Sequence, residues 1–166
     1  MRQFDDLGFK RATDADVPAM VACRSTDPSV HPADTRMAAY FRGEHHPQHA
    51  LSDRVGFVAL AGDAVVGYIA GHRTTRHGCD GEVQYLFVAP AYRRRGVATS
   101  LLGLLAAWFE RESAHKVCVC IDRDSPAAQP FYDSVGAVPI KKLWRVWDNI
   151  AVCADREGER GNSLAD

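Results

Sequence analysis

The strongest periodic signal in the chain lies between Val97 and Trp108. Val97, Leu101, Leu104, Leu105 and Trp108 recur at i, i+4, i+7, i+8 and i+11. That spacing predicts a helix from about Gly96 to Glu112 with one buried face. Just before it, Glu82–Val88 is an apolar run bounded by Gly81 and Pro90, the pattern of a strand. Val55–Leu60 and Val65–Gly71 flank the turn Ala-Gly-Asp-Ala and predict a hairpin. Lys116–Ile121 is apolar on both faces, as a central strand tends to be.

Weaker patterns fill the ends. Residues 9–12 read as a short strand. Thr13 or Asp14 then caps a helix with Pro18 in its first turn and Val17, Met20, Val21 and Arg24 at helical spacing. A second helix is predicted near Asp34–Arg42, with Met37, Tyr40 and Phe41 on one face. The stretch from Gly43 to Arg54 and residues 72–80 read as polar loops. A later helix runs from Pro126 to about Ser134 and is closed by Gly136, and one or two strands occupy 137–151. Strand–helix alternation in the second half requires right-handed crossovers and some parallel pairing. The fold class is therefore α/β: a single-domain mixed central sheet of six to seven strands with helices on both faces. The domain is expected over residues 1–154, with its core at about 9–151, and 155–166 is expected to be a polar tail.

Composition narrows the function. The 166 residues carry 20 Lys+Arg against 21 Asp+Glu, a net charge of −1. That balance lacks the basic excess of a dedicated nucleic-acid binder. The opening MRQFDDLGFK has no apolar core of a secretory leader, and no apolar run is long enough to span a membrane. Five cysteines (Cys23, Cys79, Cys118, Cys120, Cys153) form no CxxC pair, and Cys118 and Cys120 alternate with valines along one strand. They read as reduced, mostly buried thiols in a cytoplasmic protein.

Charge is concentrated where the Glu82–Val88 strand hands over to the long helix, at Arg93-Arg94-Arg95-Gly96-Val97-Ala98. A helix N-terminus presents unpaired N–H groups and partial positive charge, so it accepts anions. Gly96 and Ala98 leave room for phosphate oxygens to reach those amides. The turn alone fits both a solvated surface bend and a phosphate site. No GxxxxGK[ST] is present, which argues against nucleotide hydrolysis.

The wider pattern resembles the GCN5-related N-acetyltransferases, whose acetyl-CoA motif is a strand, then (Gln/Arg)-x-x-Gly-x-(Gly/Ala), then a helix. The preceding YLFVAPAY is similar to that family's fourth strand and the turn after it, and the order of elements matches from about Phe9 to Ile150. The resemblance implies an acyl-CoA N-acyltransferase fold and acetyl-CoA as co-substrate. It implies that Phe87 and Val88 contact pantetheine or the acetyl carbonyl through main chain. Arg93, Arg94, Arg95, Gly96, Val97 and Ala98 would hold the pyrophosphate; it assigns no partner to the 3′-phosphate.

Acetyl transfer to an amine needs a base for the amine and benefits from an acid for the departing thiolate. The stretch from Ser125 to Ala137 resembles the family's later motif, with Ala128, Phe131, Tyr132 and Gly136 in place. The resemblance implies Tyr132 as general acid. Ser125 stands where Asn is usual, as a pantetheine contact, and Ala137 stands where Phe is common. Glu82 corresponds to a Glu that often activates the amine through water. Strand alternation would put Glu82, Gln84 and Leu86 on one face and Val83, Tyr85 and Phe87 on the other.

His45, His46 and His49 cluster near Pro47, but no Cys or carboxylate completes a metal set, so no metal is expected. The resemblance places this loop near the acceptor entrance. Trp108, Trp144 and Trp147 read as packing residues. The implied reaction is direct transfer of acetyl from acetyl-CoA to an amine of a small molecule, peptide or protein. The competing reading is a catalytically silent acyl-CoA-binding regulatory module on the same fold. Neither nucleic acid nor membrane is an expected partner, and monomer and homodimer both stay open. So do the acceptor's identity and the acyl-chain preference.

Overall fold

The longest extended segments are the two arms of the hairpin around Ala-Gly-Asp-Ala. In a computed structural model of the protein, which describes residues 6–30, 36–121 and 127–154, they are β2 (Ala50–Ala61) and β3 (Ala64–Thr74), paired antiparallel. Both run further than the apolar pattern predicts. Ala50–Arg54 and His72–Thr74, expected as loop, are strand, and His72 Nδ1 and Thr74 Oγ1 find partners inside the fold. The Tyr40 hydroxyl lies 3.0 Å from His72 Nδ1, and Thr74 Oγ1 donates to the His49 carbonyl at 3.1 Å.

β1 (Leu7–Arg11) lies antiparallel beside β2, and β4 (Gly81–Val88) antiparallel beside β3. β5 (Val117–Cys120) runs parallel to β4, followed in space by β7 (Trp144–Trp147) and the edge strand β6 (Val138–Lys141). The result is one seven-stranded mixed sheet, ordered β1-β2-β3-β4-β5-β7-β6.

Helix α3 (Val97–Arg111) covers one face, with Leu101, Leu105 and Phe109 fully buried. It lies so close that a Cβ at Gly81 would meet the Phe109 ring. α4 (Ala128–Ser134) joins that face through Tyr132, which packs in the same core as Trp147. α1 (Val17–Arg24) and α2 (Arg36–Phe41) cover the other face, burying Met20 and Met37 against Val58 and Tyr68. On α1, Val21 turns outward and Cys23 takes the buried place. Ser125, Pro126 and the expected tail 155–166 lie outside the described residues.

Two expectations are corrected. Ala70 pairs with Tyr85 but Gly71 pairs with Val83, so Gln84 is an extra residue in β4. This bulge shifts the phase of alternation. Val83 and Leu86 pack with the α3 core, and Phe87 with the α1 core. Tyr85 shares Glu82's face, with its ring 5.5 Å from that of Tyr40. Second, of the five cysteines, none in a disulfide, Cys120 is exposed rather than buried mid-strand, because it ends β5 where that strand leaves its neighbour. Among the described residues, no helix is long and apolar enough to cross a membrane.

Candidate active site

β4 and β5 pair only over Gly81–Val83 and Val117–Val119, and then part. β5 stays with β7, where the Ile121 N–H donates to the Leu143 carbonyl at 2.6 Å. β4 stays with β3 as far as the pair Gly67 and Val88. The wedge between them is a cleft of about 980 Å³. Its walls are β4 from Val83 to Val88, Val119 and Cys120, the exposed side of α4, and the turn leading into α3. It continues across β4 to Arg24, Asp27, Met37 and Tyr68 on the α1–α2 side, so one space reaches both faces of the strand.

The turn is built from backbone. Arg94 and Gly96 are left-handed, with φ of 63° and 81°, and Gly96 is the N-cap of α3 with no side chain capping it. Ser100 is the first residue whose N–H bonds back, to the Gly96 carbonyl at 2.9 Å. The amides before it have no intrahelical partner, and left-handed residues in such a turn form an anion-binding concavity. Gly96 and Ala98 add little bulk in front of them. These residues fit a pyrophosphate.

The three arginines are not equivalent. Arg93 Nε donates to the Val88 carbonyl at 2.8 Å, and Arg93 Nη2 to Asp27 Oδ2 at 2.7 Å. Asp27 is buried and also accepts from the Ser29 hydroxyl at 2.6 Å and the Ser29 N–H at 3.0 Å. The Ser29 hydrogen bonds, then Arg93, hold its carboxyl down to about 2. Arg93 thus straps the segment after α1 to the end of β4, while its main chain belongs to the turn.

Tyr132 lies across the cleft on α4, wedged edge-on against Trp147 (5.9 Å between ring centres) and Phe131 (5.2 Å). Burial pushes its hydroxyl well above the ordinary phenol value, so it stays protonated at neutral pH. Phe87, Val88, Arg93, Arg94, Gly96, Val97 and Ala98 line this cleft, and Arg95 does not.

Glu82 does not line it. The cleft wall begins at Val83, and Glu82 lies one residue below, only 4% exposed. Arg76, between β3 and β4, places Nε 2.9 Å from Glu82 Oε1. Burial raises the Glu82 carboxyl to about 7, and Arg76 opposes that rise. Across β3 stands His72, held neutral by burial and by the charges of Arg54 and Arg76, with its pKa lowered to about 4. Arg54 donates to the carbonyls of Tyr40 (2.9 Å) and His45 (2.8 Å), with its guanidinium 4.7 Å from the Tyr40 ring centre.

Arg54, His72, Glu82 and Cys118 are successive cross-strand partners, so they form one row across β2, β3, β4 and β5. The sequence pattern did not reveal this row. Its signal was the two-residue alternation that carries on past Gly71 through His72 and Thr74. The histidine loop supplies backbone acceptors to Arg54 and Thr74, and His46 Nδ1 lies 2.8 Å from Arg54. Among the described residues, no three His, Cys, Asp or Glu side chains converge on a metal position.

Known proteins resemble this chain in sequence and in fold. N-alpha-acetyltransferase 30 of Schizosaccharomyces pombe is 27% identical over 95 residues, covering 56% of this chain and 63% of that protein. Mycothiol acetyltransferase of Corynebacterium diphtheriae is 33% identical over 90 residues, covering 51% and 29%. The match thus spans less than two thirds of either curated relative. PaiA N-acetyltransferase of Thermoplasma acidophilum, solved with coenzyme A, superposes with a TM-score of 0.60 at 11% identity, covering 85% of this chain and 96% of that one. The family description "Acetyltransferase (GNAT) family" matches residues 21–137, a span that holds β4, its bulge, the amide turn, α3 and α4. The protein belongs to that family.

Proposed function

We propose that this protein transfers an acetyl group from acetyl-CoA directly to an amine within a ternary complex. The observation that carries the reading is the cleft where β4 leaves β5, with the uncapped start of α3 at one end and Tyr132 along its wall. The turn from Arg93 to Ala98 would hold the pyrophosphate through main chain. The free edge of β4 at Phe87 and Val88 would face pantetheine. Tyr132 would give its proton to the departing thiolate, and Glu82 would accept the amine's proton through water. Cys118 is fully buried and burial pushes its thiol up, so it is a poor relay nucleophile. The acceptor is an amine on a small molecule, a peptide or a protein, and thiols without disulfides suit the cytoplasm.

The test is acetyl-CoA binding followed by thiol release. Millimolar acetyl-CoA should raise the melting temperature. A panel of small amines, amino acids, aminoglycosides and peptides with free N-termini should contain at least one that releases CoA. Tyr132→Phe should lower kcat roughly 10- to 100-fold with acetyl-CoA affinity retained. Stabilisation by acetyl-CoA without CoA release across the panel would instead describe a binding module. No stabilisation at all would sink the reading.

A further inference from the structure

Arg76 lies outside the cleft, in the short helical turn Arg76–Gly78 between β3 and β4, yet its side chain is only 18% exposed. Three separate segments hold it. Nε meets Glu82 of β4, Nη2 donates to the Gln48 carbonyl at 3.0 Å, and the guanidinium lies 4.9 Å from the ring centre of Trp144 on β7. Its backbone is fixed as well, because the Arg76 N–H donates to Thr74 Oγ1 at 3.1 Å. A surface ion pair would need none of these restraints.

The surroundings of Glu82 make Arg76 the cation that matters to it. His72 of β3 is held neutral. Tyr40 of α2, Cys79 before β4 and Cys118 of β5 are all pushed up by burial, so they too are uncharged at neutral pH. Tyr85 is the next residue of β4 on this face. Arg54 of β2 spends its guanidinium on the Tyr40 ring and on backbone carbonyls. A buried carboxylate deprived of its cation takes up a proton. Once protonated, it can no longer accept one from an amine.

We propose that Arg76 is a positioning residue for acetyl transfer: clamped by Trp144 and the Gln48 carbonyl, it keeps its cation against Glu82 and favours the charged carboxylate one residue from the cleft. The inference rests on the reading of Glu82 as the base. In that step an N–H bond of the protonated amine breaks, an O–H bond forms on Glu82, and the N–H electron pair stays on the now neutral nitrogen as the lone pair that attacks. Lysine would supply the charge but not the planar group that meets indole, carboxylate and carbonyl together.

Carbon-13 NMR titration of glutamate-labelled protein reads the charge on Glu82 without turnover, with its signal assigned by loss in Glu82→Gln. The Glu82 midpoint should rise by about one pH unit or more in Arg76→Gln, and by less in Arg76→Lys. The acid limb of kcat/KM should move the same way, with acetyl-CoA affinity within about twofold of wild type. If Arg76→Gln does not fold, Trp144→Leu loosens the same clamp and should give a smaller rise. An unmoved midpoint in the folded variants overturns the proposal. Faster turnover in Arg76→Gln also overturns it, because Arg76 would then be a plug over Glu82. A wild-type pH–rate profile in Glu82→Gln removes the base role while leaving acetyl transfer standing. Absence of acetyl-CoA binding by the wild-type protein would overturn the function itself.

Discussion

β4 begins beneath Arg76 and ends at the arginine-rich turn, and the two ends are built differently. At the far end the working groups are backbone amides, exposed because Arg94 and Gly96 take left-handed conformations and no side chain caps α3. Everything needed lies within a few consecutive residues. At the near end the working groups are side chains. Glu82, His72, Tyr40, Arg54, Arg76 and Trp144 come from β4, β3, α2, β2, a turn and β7. The backbone end suits a ligand group that never changes, such as a pyrophosphate. The side-chain end can be retuned one residue at a time.

Gly96→Val should produce the largest effect and tests that division directly. A β-branched residue at a φ of 81° is strained by roughly 1–2 kcal/mol, and its methyls crowd the amides. Acetyl-CoA affinity measured by calorimetry should fall at least about tenfold, equivalent to about 1.4 kcal/mol. Glu82→Gln should leave that affinity within about twofold and act on turnover instead. If both variants damaged the same parameter, the two ends of β4 would not be separate devices.

The same division decides what could be read from the sequence. The α3 stripe, the hairpin and the Arg93–Ala98 turn are local patterns, and the structure has them at the expected places. The Gln84 bulge is invisible locally, because nothing in Val-Gln-Tyr marks one residue as surplus. It arises from how β4 must register against β3. The same holds for Arg93, which looks like its two neighbours until Asp27, 66 residues away, is brought beside it. Arg76 reads as a loop residue until Trp144 and Gln48 close around it. Long-range partners, rather than weak local signals, account for what the sequence reading missed.

The two ends should also respond to pH with opposite signs. Asp27, strapped to the far end by Arg93, has its carboxyl lowered to about 2. The folded protein therefore binds fewer protons there than the unfolded chain, whose Asp titrates near ~3.9. Its stabilisation is complete above about pH 4 and is lost as pH falls toward about 2. Glu82 is the reverse, raised from 4.5 to about 7. The folded protein binds the extra proton, so this residue's contribution declines as pH rises from about 4.5 to about 7. Melting temperature followed against pH should lose its acid-side slope in Asp27→Asn and its neutral-side decline in Glu82→Gln. Matching slopes in either variant and wild type would show that the residue in question is not held as the structure holds it.

The smallest effects should come from the rim. Arg94 and Arg95 are exposed at the turn, so any help they give a phosphorylated ligand acts through water and is screened by salt. Arg94→Ala and Arg95→Ala should each weaken acetyl-CoA binding by about two- to threefold at low ionic strength, with little difference left near ~0.5 M salt. The Gly96→Val defect should persist across that range, because steric exclusion from backbone amides does not depend on the ionic atmosphere. Arg93→Ala should behave as neither. It removes a strap from the buried Asp27 carboxylate, so it should lower the melting temperature even without ligand. A rim arginine whose loss matched Gly96→Val at high salt would move the centre of the phosphate site from main chain to side chain. The far end of β4 would then belong to the same retunable class as the near one.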